Sequence, residues 1–230
     1  MARSRSASGR SAIPLVVLVS GRGSNLQSII DAVARGDLPA TIRAVISDRP
    51  QAAGLERARR AGIETRVLEY RGAGGRERYG RSLLELVESF NPALLVLAGF
   101  MRILSDEFVE HFSGRIVNIH PSLLPALRGL DTHARALAAG LREHGASVHF
   151  VTADLDSGPL IVQARVPVHE DDTPDTLAAR VLEQEHRIYP LAIRWFAEGR
   201  LTVDGNRVLL DGEIRPEQGL GPSREERNED

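Results

Sequence analysis

The chain has 230 residues, 42% hydrophobic and 26% charged, with a formal net charge of −2; it can bury a real core and has no general attraction for nucleic acid or an anionic membrane. It contains no cysteine, which excludes a thiol nucleophile, disulfides and Cys-ligated zinc. All 29 basic residues are arginine, which excludes Schiff-base chemistry on lysine and the lysine-bearing P-loop.

The first twelve residues are rich in Arg and Ser and lack acids, and they are expected to be a disordered extension ahead of a single domain over 13–211. Apolar runs then alternate with helical periods, the pattern of βα units in a mainly parallel sheet. Leu15 to Val19 reads as a strand buried on both faces, followed by a helix over Ser24–Arg35. Ile42–Ile46 is a strand, Ala52–Ala61 a helix closed by Gly62, and Glu64–Leu68 a strand. A helix is expected over Arg76–Phe90, and Ala93–Ala98 and Arg115–Ile119 are strands. His133–Ala139 forms a short helix. Ser147–Thr152 and Leu160–Val168 are expected to pair antiparallel, and Leu177–Ala197 carries a long helical period. Leu201–Leu210 folds as a hairpin about Asp204-Gly205-Asn206. From Gly212 to residue 230, Gly, Pro and charge dominate, and a disordered tail is expected. No run approaches the roughly 18 apolar residues that span a bilayer, and a cytoplasmic protein is expected.

Chemistry concentrates where strands end. In Asn118-Ile119-His120-Pro121 the alternation of a strand points Asn118 and His120 the same way, and Pro121 stops the strand. Asp156 lies downstream in Asp154-Leu155-Asp156-Ser157-Gly158-Pro159, a loop of turn residues. An amide, an imidazole and a carboxylate suit acid–base work on a carbonyl; a rigid structural turn is the plainer alternative. Between the first strand and helix, Ser20-Gly21-Arg22-Gly23-Ser24-Asn25 offers glycines, hydroxyl and amide donors at a helix N-terminus, which suits a phosphate. It lacks the third glycine of the dinucleotide fingerprint, and a plain N-cap turn is the alternative. Phe100, Met101, Ile103 and Leu104 are unusually apolar for a surface loop and could line a pocket for a flat ring. His149 is expected as a hydrogen-bonded core histidine or a support behind the site. His186 has no partner at zinc-helix spacing, and no metal site is expected.

The segments SGRGSN (20–25), LAGFMRIL (97–104), NIHPSLLP (118–125), SVHFVT (147–152), LDSGP (155–159) and QEHRIYP (184–190) resemble those of phosphoribosylglycinamide formyltransferases, in the same order and with similar spacing. The resemblance spans Ile13 to Leu210. NIHPSLLP with LDxGP is shared by formyltransferases more widely, whereas SGxGSN with QEHRIYP is more specific. The resemblance implies an α/β, Rossmann-like formyltransferase fold: a mostly parallel central sheet with antiparallel strands and a long C-terminal helix, divided into a phosphate-binding half (13–118) and a catalytic and folate-binding half (119–211). It implies formyl transfer from 10-formyltetrahydrofolate, a co-substrate, to the amine of glycinamide ribonucleotide in purine biosynthesis, without a metal. Small molecules are then the partners of a monomer or homodimer, with neither nucleic acid nor membrane.

Carried over by motif, Asn118, His120 and Asp156 match the catalytic trio. Gly23, Ser24, Asn25 and Leu182, Glu183, Gln184, Glu185 match contacts to the ribonucleotide. Arg76, Met101, Arg102, Ile103, Leu104 and Thr152, Ala153, Asp154, Leu155, with Asn118 and Asp156, match the folate site. Attack by an amine puts negative charge on the formyl oxygen, which Asn118 and His120 would stabilise. A carboxylate beside an imidazole raises its pKa, and that role, with help in proton transfer, falls to Asp156. Three features depart from the family pattern: Arg22 where a small polar residue is common, the run Ala126-Leu127-Arg128, and Asp131 in place of a His. The alternatives are other folate enzymes. Methionyl-tRNA formyltransferase needs an added domain after this fold, and formyltetrahydrofolate hydrolase one before it; neither is expected here. A non-catalytic phosphate-binding module would need the glycine loop but not the trio.

Overall fold

In the computed structural model, residues 12–70, 75–213 and 219–220 are described. In chain order the elements are β1 (Ile13–Val19), α1 (Ser24–Ala34), β2 (Ala40–Ser47), α2 (Ala53–Arg60), β3 (Thr65–Val67), α3 (Gly75–Glu88), β4 (Leu94–Leu97) and α4 (Asp106–His111). They continue with β5 (Ile116–His120), α5 (Thr132–Ala138), β6 (Glu143–Phe150), β7 (Leu160–Pro167), α6 (Pro174–Ala197), β8 (Leu201–Asp204), β9 (Arg207–Leu210) and β10 (Gly219–Leu220). An eight-stranded sheet has the order β10-β7-β6-β5-β4-β1-β2-β3, and β8 and β9 form a separate hairpin. β3, β2, β1, β4 and β5 are parallel. β6 alone runs against its neighbours β5 and β7.

Strand alternation builds a core on each face. Leu15, Val17 and Val19 of β1 pack with Leu26 and Ile29 of α1 and with Ile188 and Ile193 of α6. Val16 and Leu18 face the other way, toward Leu83 of α3 and Phe108 of α4. Every one of these side chains is buried, and each contributes about 1.5–3 kcal/mol by leaving water. β1 has β2 on one side and β4 on the other. The chain direction across the sheet therefore switches between β1 and β4, and the crevice beyond their carboxyl ends is where such sheets bind ligands.

Three elements depart from expectation. α4 has only six residues, too few to show a period; Ser105 caps it, accepting from Phe108 N at 3.3 Å. β6 starts at Glu143, ahead of the expected Ser147, because Gly145 is needed inside the strand: a Cβ there would run into the Ala164 carbonyl of β7. The segment expected as a disordered tail contains Gly219–Leu220, which pair in parallel with Gln163 and Ala164 of β7. The rest of that tail, 214–218 and 221–230, and the N-terminal extension through residue 11 lie outside the described residues.

Candidate active site

β5 carries Asn118 and His120 past the end of β4, whose last residue, Leu97, pairs with Asn118. β6 is reversed, so His149 comes directly opposite Asn118, and the loop after β6 returns Asp156 to His120. Asp156 Oδ2 stands 3.4 Å from His120 Nδ1 and accepts from the Gly129 backbone N–H at 3.0 Å. His120 Nε2 lies 3.0 Å from the Leu127 carbonyl oxygen. A neutral imidazole can donate to only one of these acceptors, and an imidazolium to both. His120 and Asp156 are both buried.

The network also orients Asn118. His149 Nδ1 lies 2.8 Å from the Phe150 carbonyl, which can only accept, so Nδ1 carries the proton and Nε2 is bare. The Asn118 Nδ2 group, 3.3 Å away, donates to it. The amide assignment follows from that network and leaves Asn118 one N–H and its carbonyl for a ligand. Burial pushes the His149 pKa down, in keeping with a neutral acceptor.

The loop after β5 is pinned from beneath. Thr132 Oγ1 donates to the Pro121 carbonyl at 2.6 Å. Ser147 Oγ donates to Ser122 O at 2.6 Å and accepts from Leu124 N at 3.0 Å. Gln163 Nε2 reaches Leu124 O at 2.8 Å.

At the switch point, Gly23 has φ 71° and caps α1 with no side-chain hydrogen bond. A Cβ on Gly23 would fall 2.6 Å from Gly54 Cα, so the loop lies tightly on the start of α2. The uncapped N-terminus of α1 is a natural anion seat. One residue inside it, buried Asn25 donates from Nδ2 to Glu185 Oε2 at 2.7 Å, while its Oδ1 has no partner within the protein. Burial raises the Glu185 pKa, and the Asn25 hydrogen bond opposes that in part. One turn on, the fully buried Tyr189 hydroxyl lies 2.8 Å from Leu97 O and 3.1 Å from Val117 O, tying α6 to β4 and β5.

The expected site residues divide accordingly. Asn118, His120 and Asp156 are brought together, with Asn25, Gln184 and Glu185 buried along α1 and α6. Ser24 and Leu182 are half-buried, and Glu183 faces solvent. Met101 and Ile103 are 58% and 62% exposed, Leu155 is 57% exposed, and Leu104 is buried. Thr152, Ala153 and Asp154 are exposed. Arg76 pairs with Asp106 at 3.6 Å, just past Leu104. The Arg102 side chain turns to Asp48, 2.7 Å away. Sequence reasoning missed the Leu127 carbonyl and the Gly129 N–H, which as backbone groups carry no residue signature. Among the described residues there is no cluster of three metal-capable side chains, and no helix long and apolar enough to cross a membrane.

A mostly parallel α/β sheet with a glycine loop at its switch point and an amide, imidazole and carboxylate at the adjoining strand end suits transfer chemistry at a carbonyl. The chain belongs to the formyl transferase family, whose model matches residues 14–193. It is 55% identical over 205 residues to phosphoribosylglycinamide formyltransferase of Escherichia coli strain K12, covering 89% of this chain and 97% of that one. The Haemophilus influenzae protein of the same name is 45% identical over equal shares. The solved phosphoribosylglycinamide formyltransferase of Coxiella burnetii superposes with a TM-score of 0.86 at 51% identity, covering 92% of this chain and 99% of that one.

Proposed function

We propose that this protein transfers the formyl group of 10-formyltetrahydrofolate to the amine of glycinamide ribonucleotide, releasing tetrahydrofolate and formylglycinamide ribonucleotide for purine biosynthesis. The observation that carries the reading is the convergence of Asn118, His120 and Asp156 from β5 and the loop after β6. The ribonucleotide phosphate sits at the Gly23–Asn25 turn, and the unpartnered Asn25 Oδ1 takes a donor from the same substrate. A buried acceptor left unpaired costs about 1–3 kcal/mol, which binding recovers. The folate ring lies against the exposed apolar side chains of Met101, Ile103 and Leu155.

The amine nitrogen attacks the formyl carbon directly, and negative charge builds on the formyl oxygen. The free Asn118 N–H and His120 donate to it. The Leu127 carbonyl stands against Nε2, and the stronger acceptor, the oxyanion, replaces it. Asp156 takes the amine proton, through water, and that proton passes on to N10 as the C–N10 bond breaks. Loss of one oxyanion donor lowers turnover by about 10²–10³. Both partners are small molecules, and the reading places the reaction in the cytoplasm, in a monomer or homodimer.

The test is release of tetrahydrofolate from 10-formyltetrahydrofolate, followed by absorbance, with and without glycinamide ribonucleotide. Turnover that requires the ribonucleotide and disappears in Asp156→Asn is the expected result. Equal release without it would make the protein a hydrolase.

A further inference from the structure

The resemblance directs Arg102 toward the folate, yet its side chain spans the end of β1 to reach the other side of the crevice. Asp48 follows β2, and its side chain has no solvent exposure. Arg102 Nε donates to Asp48 Oδ2 at 2.7 Å, and its guanidinium lies 4.7 Å from the centre of the Tyr70 ring. Tyr70 meets Tyr79 of α3 edge-on at 5.3 Å. Burial, and then the Asp48 charge, hold the Tyr79 hydroxyl well above its usual pKa, so it stays neutral beside the carboxylate. The platform is thus apolar on one side and ionic on the other.

A buried ion pair gives little net stability over an apolar replacement, while its directionality selects one conformation over others. What this pair orients is the segment between β4 and α4. Met101 N donates to Ser20 Oγ at 2.8 Å, which fixes one end of the loop to β1. At the other end Ser105 packs against Gly80 of α3, where any Cβ would collide with the Ser105 hydroxyl. Arg102 is drawn inward between these anchors and Leu104 is buried, while Met101 and Ile103 are turned out to solvent.

We infer that the Asp48–Arg102 pair on the Tyr70 ring is a latch that presents Met101 and Ile103 to the folate, making Asp48 and Tyr70 positioning residues for co-substrate affinity. The inference rests on the folate reading of the 101–104 loop. It assigns the Arg102 side chain a role through Asp48, its partner just after β2, in place of direct ligand contact.

Steady-state kinetics with each substrate varied in turn test it. Asp48→Ala, which removes one charge-assisted hydrogen bond, raises the KM for 10-formyltetrahydrofolate about tenfold. Its kcat and its KM for glycinamide ribonucleotide stay within about twofold of wild type. Asp48→Asn keeps an acceptor for Arg102 Nε and returns the folate KM to within about threefold of wild type. Tyr70→Ala raises the folate KM about threefold, from loss of the cation–π contact, and Tyr70→Phe leaves it unchanged. A folded Asp48→Ala protein with wild-type folate KM overturns the latch, as does a fall in kcat alone. If Asp48→Ala does not fold by circular dichroism, equal folate KM values for Tyr70→Ala and Tyr70→Phe overturn it. Wild-type protein that releases tetrahydrofolate without the ribonucleotide would refute the transfer reaction, and the folate KM comparison would still decide the latch.

Discussion

The two ends of the crevice are made of different material. At one end, Gly23 and Asn25 open α1, Gln184 and Glu185 lie on α6, and all four are buried. At the other, Met101, Ile103 and Leu155 stand on loops with more than half their surface in water. Groups on regular elements are set before any ligand arrives, and exposed apolar loop residues gain most from being covered. Asn118 and His120 on a strand and Asp156 on a loop stand where the two materials meet. The end proposed for the ribonucleotide is thus a preformed mould, and the end proposed for the folate an adaptable wall.

The sharpest way to break this comparison is at the junction. Asp156→Ala is expected to lower kcat by about 10²–10⁴, with far-ultraviolet circular dichroism like wild type. A variant that unfolds instead would make Asp156 a structural residue, and the junction would lose its meaning. Next, Asn25→Ala is expected to raise the KM for glycinamide ribonucleotide by about tenfold, the loss expected for one hydrogen bond to a charged or buried group. Its folate KM should hardly change, and equal effects on both substrates would erase the distinction between the ends.

The smallest effect sharpens the picture beneath the catalytic loop. Burial, then the neighbouring His133 and His120, lower the His144 pKa from 6.5 to about 4, while its hydrogen bond to Pro121 O opposes the shift. The folded protein therefore binds fewer protons than the unfolded chain between these values, and its stability rises with pH. The stability due to neutral His144 is complete above about 6.5 and is lost as pH falls through about 4. Thermal unfolding followed from pH 7 to pH 4 should show a shallower decline in His144→Asn than in wild type. Parallel curves would mean that His144 is not sensed by the fold.

Much of this was legible before any coordinates. The apolar runs of β1 and β4 can only be doubly covered strands, and alternation along β5 forces Asn118 and His120 onto one side. What stayed hidden depends on chain segments distant in sequence. The bond from Arg102 to Asp48, 54 residues away, has no signature in either segment alone. The start of β6 was hidden because an interior glycine carries no strand signal; Gly145 marks where β6 and β7 come too close for a side chain. The reach of Asp156 to His120 needs the reversal of β6, which no local pattern encodes.

The Tyr189 hydroxyl, shared between Leu97 O and Val117 O, has a consequence for the meeting of the two substrates. It stands one helical turn from Glu185 and touches the strand that ends in His120, so it works as a gauge between α6 and β5. Reacting atoms must come within about 3–3.5 Å, and a displacement of about 1 Å can slow a reaction about a hundredfold. One phenol fixes the spacing of α6 against β4 and β5, on which any reaction between groups carried by those elements depends.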